Sequence, residues 1–331
     1  METTKIANTG IEASRIGLGT WAIGGKMWGG TNEEDSIKTI HAALDKGISL
    51  IDTAPAYGLG ESEELVGKAV EQYGGRNNIV LSTKAGLNWT DEGGMYRDGS
   101  EARIQKEVED SLRRLRSDYI DIYHVHWPDP EINIEETAAV MKRLFDEGKI
   151  RAIGLSNFTP EQIDEFQKTA PVHVIQPPYN IFERGIEEDI LPYTRKHDIT
   201  NLSYGSLCRG LLSGKMSADR TFKGDDLRNN DPKFQEDTLP NYIAAVNELD
   251  QYVQNKYNKH VIHFAIRWVL DQPGSDIALW GARRPDQLDA IEEAMDWKLD
   301  DTDHQAVNEI VGKHIKEPIG PEFMAPPAKS E

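Results

Sequence analysis

The sequence predicts an α/β protein of the (β/α)8 barrel class, and three observations carry that prediction. Eight short apolar runs have the composition of buried strands, amphipathic helical patterns lie between them, and polar residues follow several of the runs. No linker rich in Pro, Gly or Ser divides the 331 residues. Because barrels often exceed the usual domain size, the sequence predicts one domain over residues 1–331.

The predicted strands number eight, as many as a closed parallel barrel requires. Each is a short run rich in Ile, Leu, Val and aromatic residues, and each is followed by a turn or a helix start. They are Arg15–Trp21, Ile48–Asp52, Ile79–Thr83, Tyr119–His124, Ile150–Gly154, His173–Gln176, Ile199–Ser203 and Asp276–Trp280.

The helices between the strands have recognisable starts and faces. Thr31 and Glu34 are spaced as a capping box before an apolar stripe, and Thr159 followed by Pro160 is spaced as an N-cap with proline at the first helical position. Ile104, Val108, Leu112 and Leu115 form one apolar stripe on a third helix. Residues 5–13 read as a hairpin turning at Asn8-Thr9-Gly10, placed to plug the bottom of the barrel.

Three long segments show no secondary-structure pattern: residues 85–100, 205–240 and the tail from residue 318. The first two follow predicted strands. Long loops in that position carry binding and catalysis in barrels, so the sequence predicts that they select the substrate.

The formal net charge of -19 argues against nucleic acid or an anionic membrane surface as a partner. Cys208 is the single cysteine and excludes an internal disulfide framework. The first residues lack the basic and apolar parts of a secretion signal, and no long apolar stretch follows. The sequence therefore predicts a cytoplasmic location, and it leaves the oligomeric state open.

Four polar residues form a candidate site for adding a proton to a carbonyl oxygen. Asp52, Lys84 and His126 lie at the ends of three predicted strands or just beyond them, and Tyr57 lies in the loop after the first of these strands. A phenol has a pKa near 10, so it needs a neighbouring cation to donate its proton readily, and Lys84 supplies that charge while Asp52 pairs with it. His126 then orients the carbonyl or shares the proton relay. Taken singly, each residue also has an ordinary structural explanation.

Ordered motifs along the chain resemble the aldo-keto reductases, and closely the bacterial family-eleven branch. They are RIGLGTWAIGG, IDTAPAYG, STKAG, VHWPDP, GKIRAIGLSNF, YGSLCRGLLSGK, WGAR and GPEFMAPP, and they cover nearly the whole chain. The resemblance implies a barrel that binds NADPH, transfers hydride between the nicotinamide and an aldehyde or ketone, and protonates the oxygen from Tyr57. It also implies a role in clearing reactive carbonyls under stress.

The same resemblance implies a set of residues around NADPH. Ser156, Asn157 and Gln176 match the hydrogen-bonding set for the nicotinamide carboxamide, and Tyr204 matches the aromatic residue that stacks on the ring. The pyrophosphate loop and the 2′-phosphate pocket also match, since a guanidinium suits that dianion. The further residues assigned to the cofactor are Thr20, Trp21, Asp52, Gly205, Ser206, Leu207, Cys208, Arg209, Gly210, Lys215, Arg228, Gly281, Ala282, Arg283 and Gln287.

Three other patterns are interpreted as structural. GLGTWA at residues 17–22 fits a dinucleotide-binding expression, but its glycines lie inside a predicted strand and no helix is expected to open there. His260 and His263 lie in an apolar helical pattern without a partner that suggests a metal site. Cys208 has no neighbouring histidine that would activate a nucleophile.

Two features have no fixed interpretation from the sequence. His124 lies two residues before His126 and points to the same side of the strand, which suggests a group hydrogen-bonded beneath the site. Trp21, Trp28, Trp89, Trp127 and Tyr179 are predicted to line an aromatic mouth for a small-molecule carbonyl.

Two other functions remain alternatives to the reductase. Potassium-channel accessory subunits share this barrel and use the nucleotide to report redox state, so a redox-sensing regulatory subunit with weak turnover is one alternative. A barrel glycosidase is a more distant one, because no Glu at another strand end pairs with Asp52.

Overall fold

A computed structural model describes residues 1–330, and in it eight parallel strands close into a barrel, as the sequence predicts. Strands are numbered along the chain, and the barrel order is β3, β4, β5, β8, β9, β10, β11 and β12, with β12 pairing back to β3. The barrel strands are β3 (Ile16–Gly19), β4 (Leu50–Asp52), β5 (Val80–Ala85), β8 (Ile122–Val125), β9 (Ile153–Ser156), β10 (Val174–Gln176), β11 (Thr200–Ser203) and β12 (Ile277–Gly281). All eight predicted strands are present, with ends shifted by a few residues.

Helices surround the barrel on its outside. They are α1 (Glu33–Asp45), α2 (Glu61–Tyr73), α3 (Glu101–Leu115), α4 (Ile134–Asp146), α5 (Pro160–Gln167), α6 (Ile190–His197), α7 (Leu239–Tyr257), α8 (Val261–Asp271) and α9 (Asp301–His314). The stripe predicted on α3 faces inwards: Ile104, Val108 and Leu115 are buried and Leu112 packs against the core. Short 3-10 turns replace a long helix directly after β12.

The chain begins with the predicted hairpin, formed by β1 (Thr3–Lys5) and β2 (Glu12–Ser14). Ile6, Ile11 and Ala13 of this hairpin pack against residues from the first halves of the barrel strands, such as Leu50 and Ile122. Because strand starts meet at the bottom of a parallel barrel, the hairpin closes that end, and the opposite end stays available for chemistry.

Two predicted helix starts have different outcomes. Thr159 caps α5 in a capping box with Gln162, followed by Pro160 as predicted. The prediction that Thr31 and Glu34 form a capping box is wrong. Asn32, one residue later, caps α1, because its side chain accepts a hydrogen bond from the Asp35 N–H at 2.9 Å.

The long segments are more ordered than the sequence indicates. Residues 85–100 contain a second hairpin, β6 (Leu87–Trp89) paired with β7 (Met95–Arg97), and residues 205–240 contain several 3-10 turns. The tail docks on that hairpin: the Arg97 N–H donates to Pro327 O at 3.0 Å, and its Nε donates to Pro326 O at 2.8 Å. Local patterns missed these contacts, because they join segments far apart in sequence.

Among residues 1–330, no helix combines the length and the apolar character that crossing a membrane requires.

Candidate active site

The four candidate residues converge at the carboxyl end of the barrel. Asp52 is the last residue of β4, Lys84 lies near the end of β5, and His126 follows β8 directly. Tyr57 lies in the loop between β4 and α2. Parallel strand register brings these ends side by side, since Asp52 is opposite Ser82 and Lys84 is opposite His124.

Asp52 and Lys84 form a buried ion pair. Lys84 Nζ donates to Asp52 Oδ2 at 2.7 Å and to the carbonyl oxygen of Thr53 at 2.9 Å. Both side chains are at most 3% exposed. Burial lowers the pKa of Lys84, and the Asp52 carboxylate opposes that shift. The pairing expected from the sequence is therefore present.

Tyr57 covers this pair and is half-buried. Lys84 Nζ lies 5.0 Å from the centre of its ring, and Trp21 stacks on it with ring centres 5.9 Å apart. Burial, with the charge of Asp52, raises the pKa of Tyr57 well above 10. Lys84 therefore does not bring the pKa of this phenol below its ordinary value in the protein alone, because burial and the charge of Asp52 outweigh the effect of the lysine.

His126 lies edge-on to Tyr57, with ring centres 6.0 Å apart. Burial and the charge of Lys84 lower the pKa of His126 well below 6.5. A neutral imidazole can donate one hydrogen bond and accept another, so the geometry favours the orienting role over a share in the proton relay.

The second oxygen of Asp52 has partners that the sequence did not indicate together. Ser82 Oγ donates to Asp52 Oδ1 at 2.8 Å, and Gln176 Nε2 donates to the same oxygen at 2.9 Å. Ser82 also lies 3.1 Å from His124 Nε2. Ser82 was missed, although its position two residues before Lys84 places both side chains on the same side of β5.

The residues assigned to the nicotinamide form one connected group. Ser156 Oγ donates to Gln176 O at 2.8 Å, and Asn157 Nδ2 donates to Ser156 Oγ at 3.0 Å and to His126 O at 3.1 Å. Tyr204 Oη donates to Asn157 Oδ1 at 2.9 Å. Asn157 thereby links the end of β8 to Tyr204. Thr20, just after β3, donates its hydroxyl proton to Asp52 O at 2.8 Å and links the ends of β3 and β4.

The predicted pyrophosphate loop begins at Gly205, but the side chain of Arg209 does not face its surface. Arg209 is buried and pairs with Glu183 and, at 2.5 Å, with Asp231. Lys233 Nζ completes the cluster at 2.8 Å from Glu183 and donates to Gly320 O of the tail at 2.9 Å. Arg209 can therefore take part in the predicted loop through its backbone, because two carboxylates already pair with its side chain.

The rest of that loop keeps the features expected for close approach of a phosphate. Gly205 and Gly210 have positive φ, and no atom lies closer than about 3.9 Å to a Cβ built on Gly210. Lys215 is exposed, whereas Ser206 is buried and Leu207 is partly buried. Cys208 is fully buried and burial raises the pKa of its thiol, so only its backbone can take part and a nucleophilic role is not supported.

Cations gather where the 2′-phosphate pocket is predicted. Burial and the nearby charges of Arg228, Arg284 and Arg220 lower the pKa of Arg283. Gln287 Oε1 accepts the Arg283 N–H at 2.8 Å and fixes the turn after β12. Open space adjoins the exposed Gly281, and Ala282 beside it is buried. In a chain of strongly negative net charge, such a cluster favours an anion.

Two loops meet beside these arginines, and we call their contact the clasp (residues 26–30 against 222–229). Asp225 accepts the N–H groups of Met27, at 2.7 Å, and Gly29, at 3.3 Å. Arg228 pairs with Asp226 and lies over the Trp28 ring at 5.2 Å. No local sequence pattern indicates the clasp, since its halves lie about 200 residues apart.

Four of the five predicted aromatic residues lie around the carboxyl end of the barrel. Trp21 and Trp28 pack edge to face at 5.4 Å, while Trp89 and Trp127 lie beneath Arg103 and Arg97. Tyr179 does not belong to this mouth. It is fully buried and packs on Trp268 of α8, with ring centres 5.2 Å apart.

The remaining patterns have structural roles. GLGTWA spans the end of β3 and the start of a 3-10 turn (Trp21–Gly24), whereas the first α-helix begins only at Glu33. His260 and His263 cap α8 together, as the His260 N–H donates to His263 Nδ1 at 3.0 Å.

A family model described as the aldo/keto reductase family matches residues 15–312. The chain is 61% identical over 331 residues to aldo-keto reductase YhdN of Bacillus subtilis, covering all of both chains. It is 36% identical to the NADH-specific methylglyoxal reductase of Escherichia coli, covering 94% of this chain and 98% of the relative.

Solved structures of aldo-keto reductases are also similar to this chain. The glycerol dehydrogenase AKR11B4 from Gluconobacter oxydans superposes with a TM-score of 0.88 and 51% identity, covering 98% of this chain and 99% of that one. Aldo-keto reductase AKR11C1 from Bacillus halodurans superposes with a TM-score of 0.77 and 27% identity, over 94% and 96%. These similarities confirm the resemblance based on the motifs.

Proposed function

Because this chain belongs to the aldo/keto reductase family, we propose that it interconverts aldehydes or ketones and alcohols with NADPH, using Tyr57, Lys84, Asp52 and His126. The observation that carries the proposal is the buried Lys84–Asp52 pair beneath Tyr57, with a neutral His126 beside it. These groups meet where barrel enzymes bind their substrates.

Tyr57 is the proposed proton donor to the carbonyl oxygen. Its raised pKa keeps the phenol protonated at neutral pH, so the donor is loaded before substrate binds. As negative charge develops on the substrate oxygen, the hydroxyl transfers its proton there, and the Lys84 charge below the ring stabilises the phenolate left behind. Asp52 keeps Lys84 protonated in a buried position, where a lone ammonium would lose its proton.

His126 is proposed to hold the substrate oxygen. Because burial keeps its imidazole neutral, it offers one N–H to that oxygen without competing with Tyr57 as an acid. Trp21, stacked on Tyr57, excludes water from one side of the reacting group.

The residues present fit a nicotinamide dinucleotide. When bound there, the cofactor supplies the hydride. Asn157 and Gln176 offer the amide chemistry that a carboxamide needs, and the loop from Gly205 offers backbone without an obstructing side chain. The cations around Arg283 suit a terminal phosphate.

The proposed preference is for NADPH over NADH. A relative of 36% identity carries an NADH-specific name, so family membership alone does not determine the cofactor. The arginines at 228 and 283 support the preference, because guanidinium groups that repel one another gain most from a dianion placed between them. NADH lacks that phosphate.

The proposed substrates are small aldehydes, ketones and α-dicarbonyls. The aromatic side chains of Trp21 and Trp28 beside Tyr57 give the site an apolar character that suits small carbonyl compounds. A methylglyoxal reductase and a glycerol dehydrogenase among the similar proteins are consistent with small substrates and with either direction of reaction. Removal of reactive carbonyls during stress is the proposed physiological role. None of the similar proteins supports the redox-sensing alternative.

The test is NADPH oxidation with a panel of small aldehydes and dicarbonyls, comparing the native protein with Tyr57→Phe. Loss of turnover with NADPH binding retained supports the proposal, because only one hydroxyl is removed. Tyr193→Phe is the matched control, since that hydroxyl donates to Asp164 on the protein surface. If the native protein binds NADPH but turns over none of the panel, the sensor alternative replaces the reductase.

Cofactor preference is tested with Arg283→Met. We expect the Kd for NADPH to rise strongly and the Kd for NADH to change little, because only NADPH carries the phosphate. Arg143→Met, on the outer face of α4, should change neither. Equal losses for both cofactors would contradict the assignment of Arg283.

A further inference from the structure

A hydrogen-bonded chain runs beneath the proposed site from His124 through Ser82 to Asp52. Ser82 Oγ lies 2.8 Å from Asp52 Oδ1 and 3.1 Å from His124 Nε2. His124 and Ser82 are 0% exposed and Asp52 is 2% exposed. The chain therefore lies in a part of the barrel that water does not reach.

The direction of each hydrogen bond follows from the chemistry of the groups. An ionised carboxylate can only accept, so Ser82 donates its single proton to Asp52. The Ser82 oxygen must then accept from His124, which requires the proton of His124 to be on Nε2. His124 thus fixes which way the Ser82 hydroxyl points.

The neighbouring strand is shaped to admit this imidazole. Lys84, His124 and Gly154 are in register across β5, β8 and β9. A Cβ built on Gly154 would lie 2.2 Å from His124 Nδ1, closer than real side-chain atoms approach. A side chain on that strand would displace the ring, so the absence of one at Gly154 gives the imidazole its place.

The groups around His124 keep it neutral. Lys84 and His126 face it from β5 and from the end of β8, and Asp52 lies beyond Ser82 on β4. Burial, and then the charge of Lys84, lower the pKa of His124 well below 6.5. A proton shuttle between His124 and the site is therefore disfavoured, and a permanent donor to Ser82 fits.

Asp52 needs this support because its two oxygens have different tasks. Oδ2 binds Lys84, while Oδ1 accepts from Ser82 and from Gln176. Hydrogen bonds to an ionised carboxylate are stronger than neutral ones and fix its plane. If Ser82 turns away, the carboxylate can rotate and Lys84 can leave its place under Tyr57.

We propose that His124 is a positioning residue of the reductase, acting through Ser82 to orient Asp52 and, through Asp52, Lys84. This inference rests on the proposed function, since it concerns the same reaction. His124 does not touch the substrate.

The experiment compares His124→Leu, Ser82→Ala and the double variant with the native protein. We expect kcat to fall about tenfold in each single variant, the order of effect of one hydrogen bond to a charged group. The KM for the carbonyl and the Kd for NADPH should change little, because neither group faces a ligand.

The double variant decides whether the two residues act as one chain. We expect it to lose no more kcat than either single variant, since breaking the chain once removes its effect. Effects that multiply would overturn the proposal, as would single variants with native kcat. His124→Gln should recover most of the activity, because its amide N–H can donate to Ser82.

His173→Gln is the matched control for the loss of a buried histidine. His173 accepts the Ile153 N–H at 3.0 Å near the start of β10, away from the site. We expect it to lower thermal stability and leave kcat unchanged. If the His124 variants show that same pattern, their role is structural only and the proposal fails. If the native protein reduces no carbonyl, the proposed function fails instead, so the two failures are distinguishable.

Discussion

Arg209→Met should destabilise the protein strongly, because Arg209 is one of two cations in a buried cluster with two carboxylates. It binds Glu183 and Asp231, and Lys233 is the other cation. After the substitution, Lys233 stays 2.8 Å from Glu183 but is 3.7 Å from Asp231. Asp231 is fully buried and would share this single cation with Glu183, so one buried negative charge would be left uncompensated.

The expected loss is about 3–5 kcal/mol in the free energy of unfolding, the range for leaving a buried charge unpaired. Urea denaturation followed by circular dichroism at neutral pH measures it. Arg143→Met is the control, since the Arg143–Glu101 pair is exposed and should contribute about 0.5 kcal/mol or less. Equal small losses in the two variants would refute the reasoning.

The pH dependence gives the same prediction a second check. Burial alone would raise the pKa of Glu183, but Arg209 and Lys233 lower it overall. A lowered carboxyl pKa contributes stability that is present above about pH 4.5 and is lost as pH falls through the folded value. The difference between native and Arg209→Met should therefore shrink as the solution becomes acidic. A difference that stays constant down to pH 4 would contradict a charge-based explanation.

Three further predictions concern other parts of the chain. Gly154→Ala should lower the free energy of unfolding by about 1–3 kcal/mol, because the new methyl group would contact the His124 ring. Gly312→Ala on α9 has open space around it and should raise the free energy of unfolding by about 0.5–1 kcal/mol. Thermal unfolding measures both, and a stabilised Gly154→Ala or a destabilised Gly312→Ala would contradict the packing. Asp225→Ala removes the acceptor for the Met27 N–H and should open the clasp, so NADPH should dissociate faster in stopped-flow fluorescence. An unchanged dissociation rate would show that the clasp does not retain the cofactor. Burial lowers the pKa of His124 and of His126, so below about pH 6.5 the unfolded chain takes up protons there while the folded histidines stay neutral. The free energy of unfolding should therefore fall as the pH decreases below that value. A double variant with Gln in place of His124 and His126 should show a smaller fall.

The sequence alone determined the barrel and most of the proposed chemistry. Strand and helix periods are local properties, so all eight strands could be located. Asp52, Lys84 and His126 could be recognised because each lies at or next to the end of a strand. Parallel strands place such residues at one end, which made the buried pair of Asp52 and Lys84 predictable.

Only the tertiary structure decided how those groups affect one another. The direction of the Tyr57 pKa shift depends on burial and on the nearby charge of Asp52, and neither can be read from spacing. The pairing of the Arg209 side chain with Glu183 and Asp231 could not be read from the motif, because these partners lie 26 and 22 residues away in sequence. The clasp and the docking of the tail on Arg97 are likewise contacts between distant segments, and such contacts leave no periodic signal in the chain.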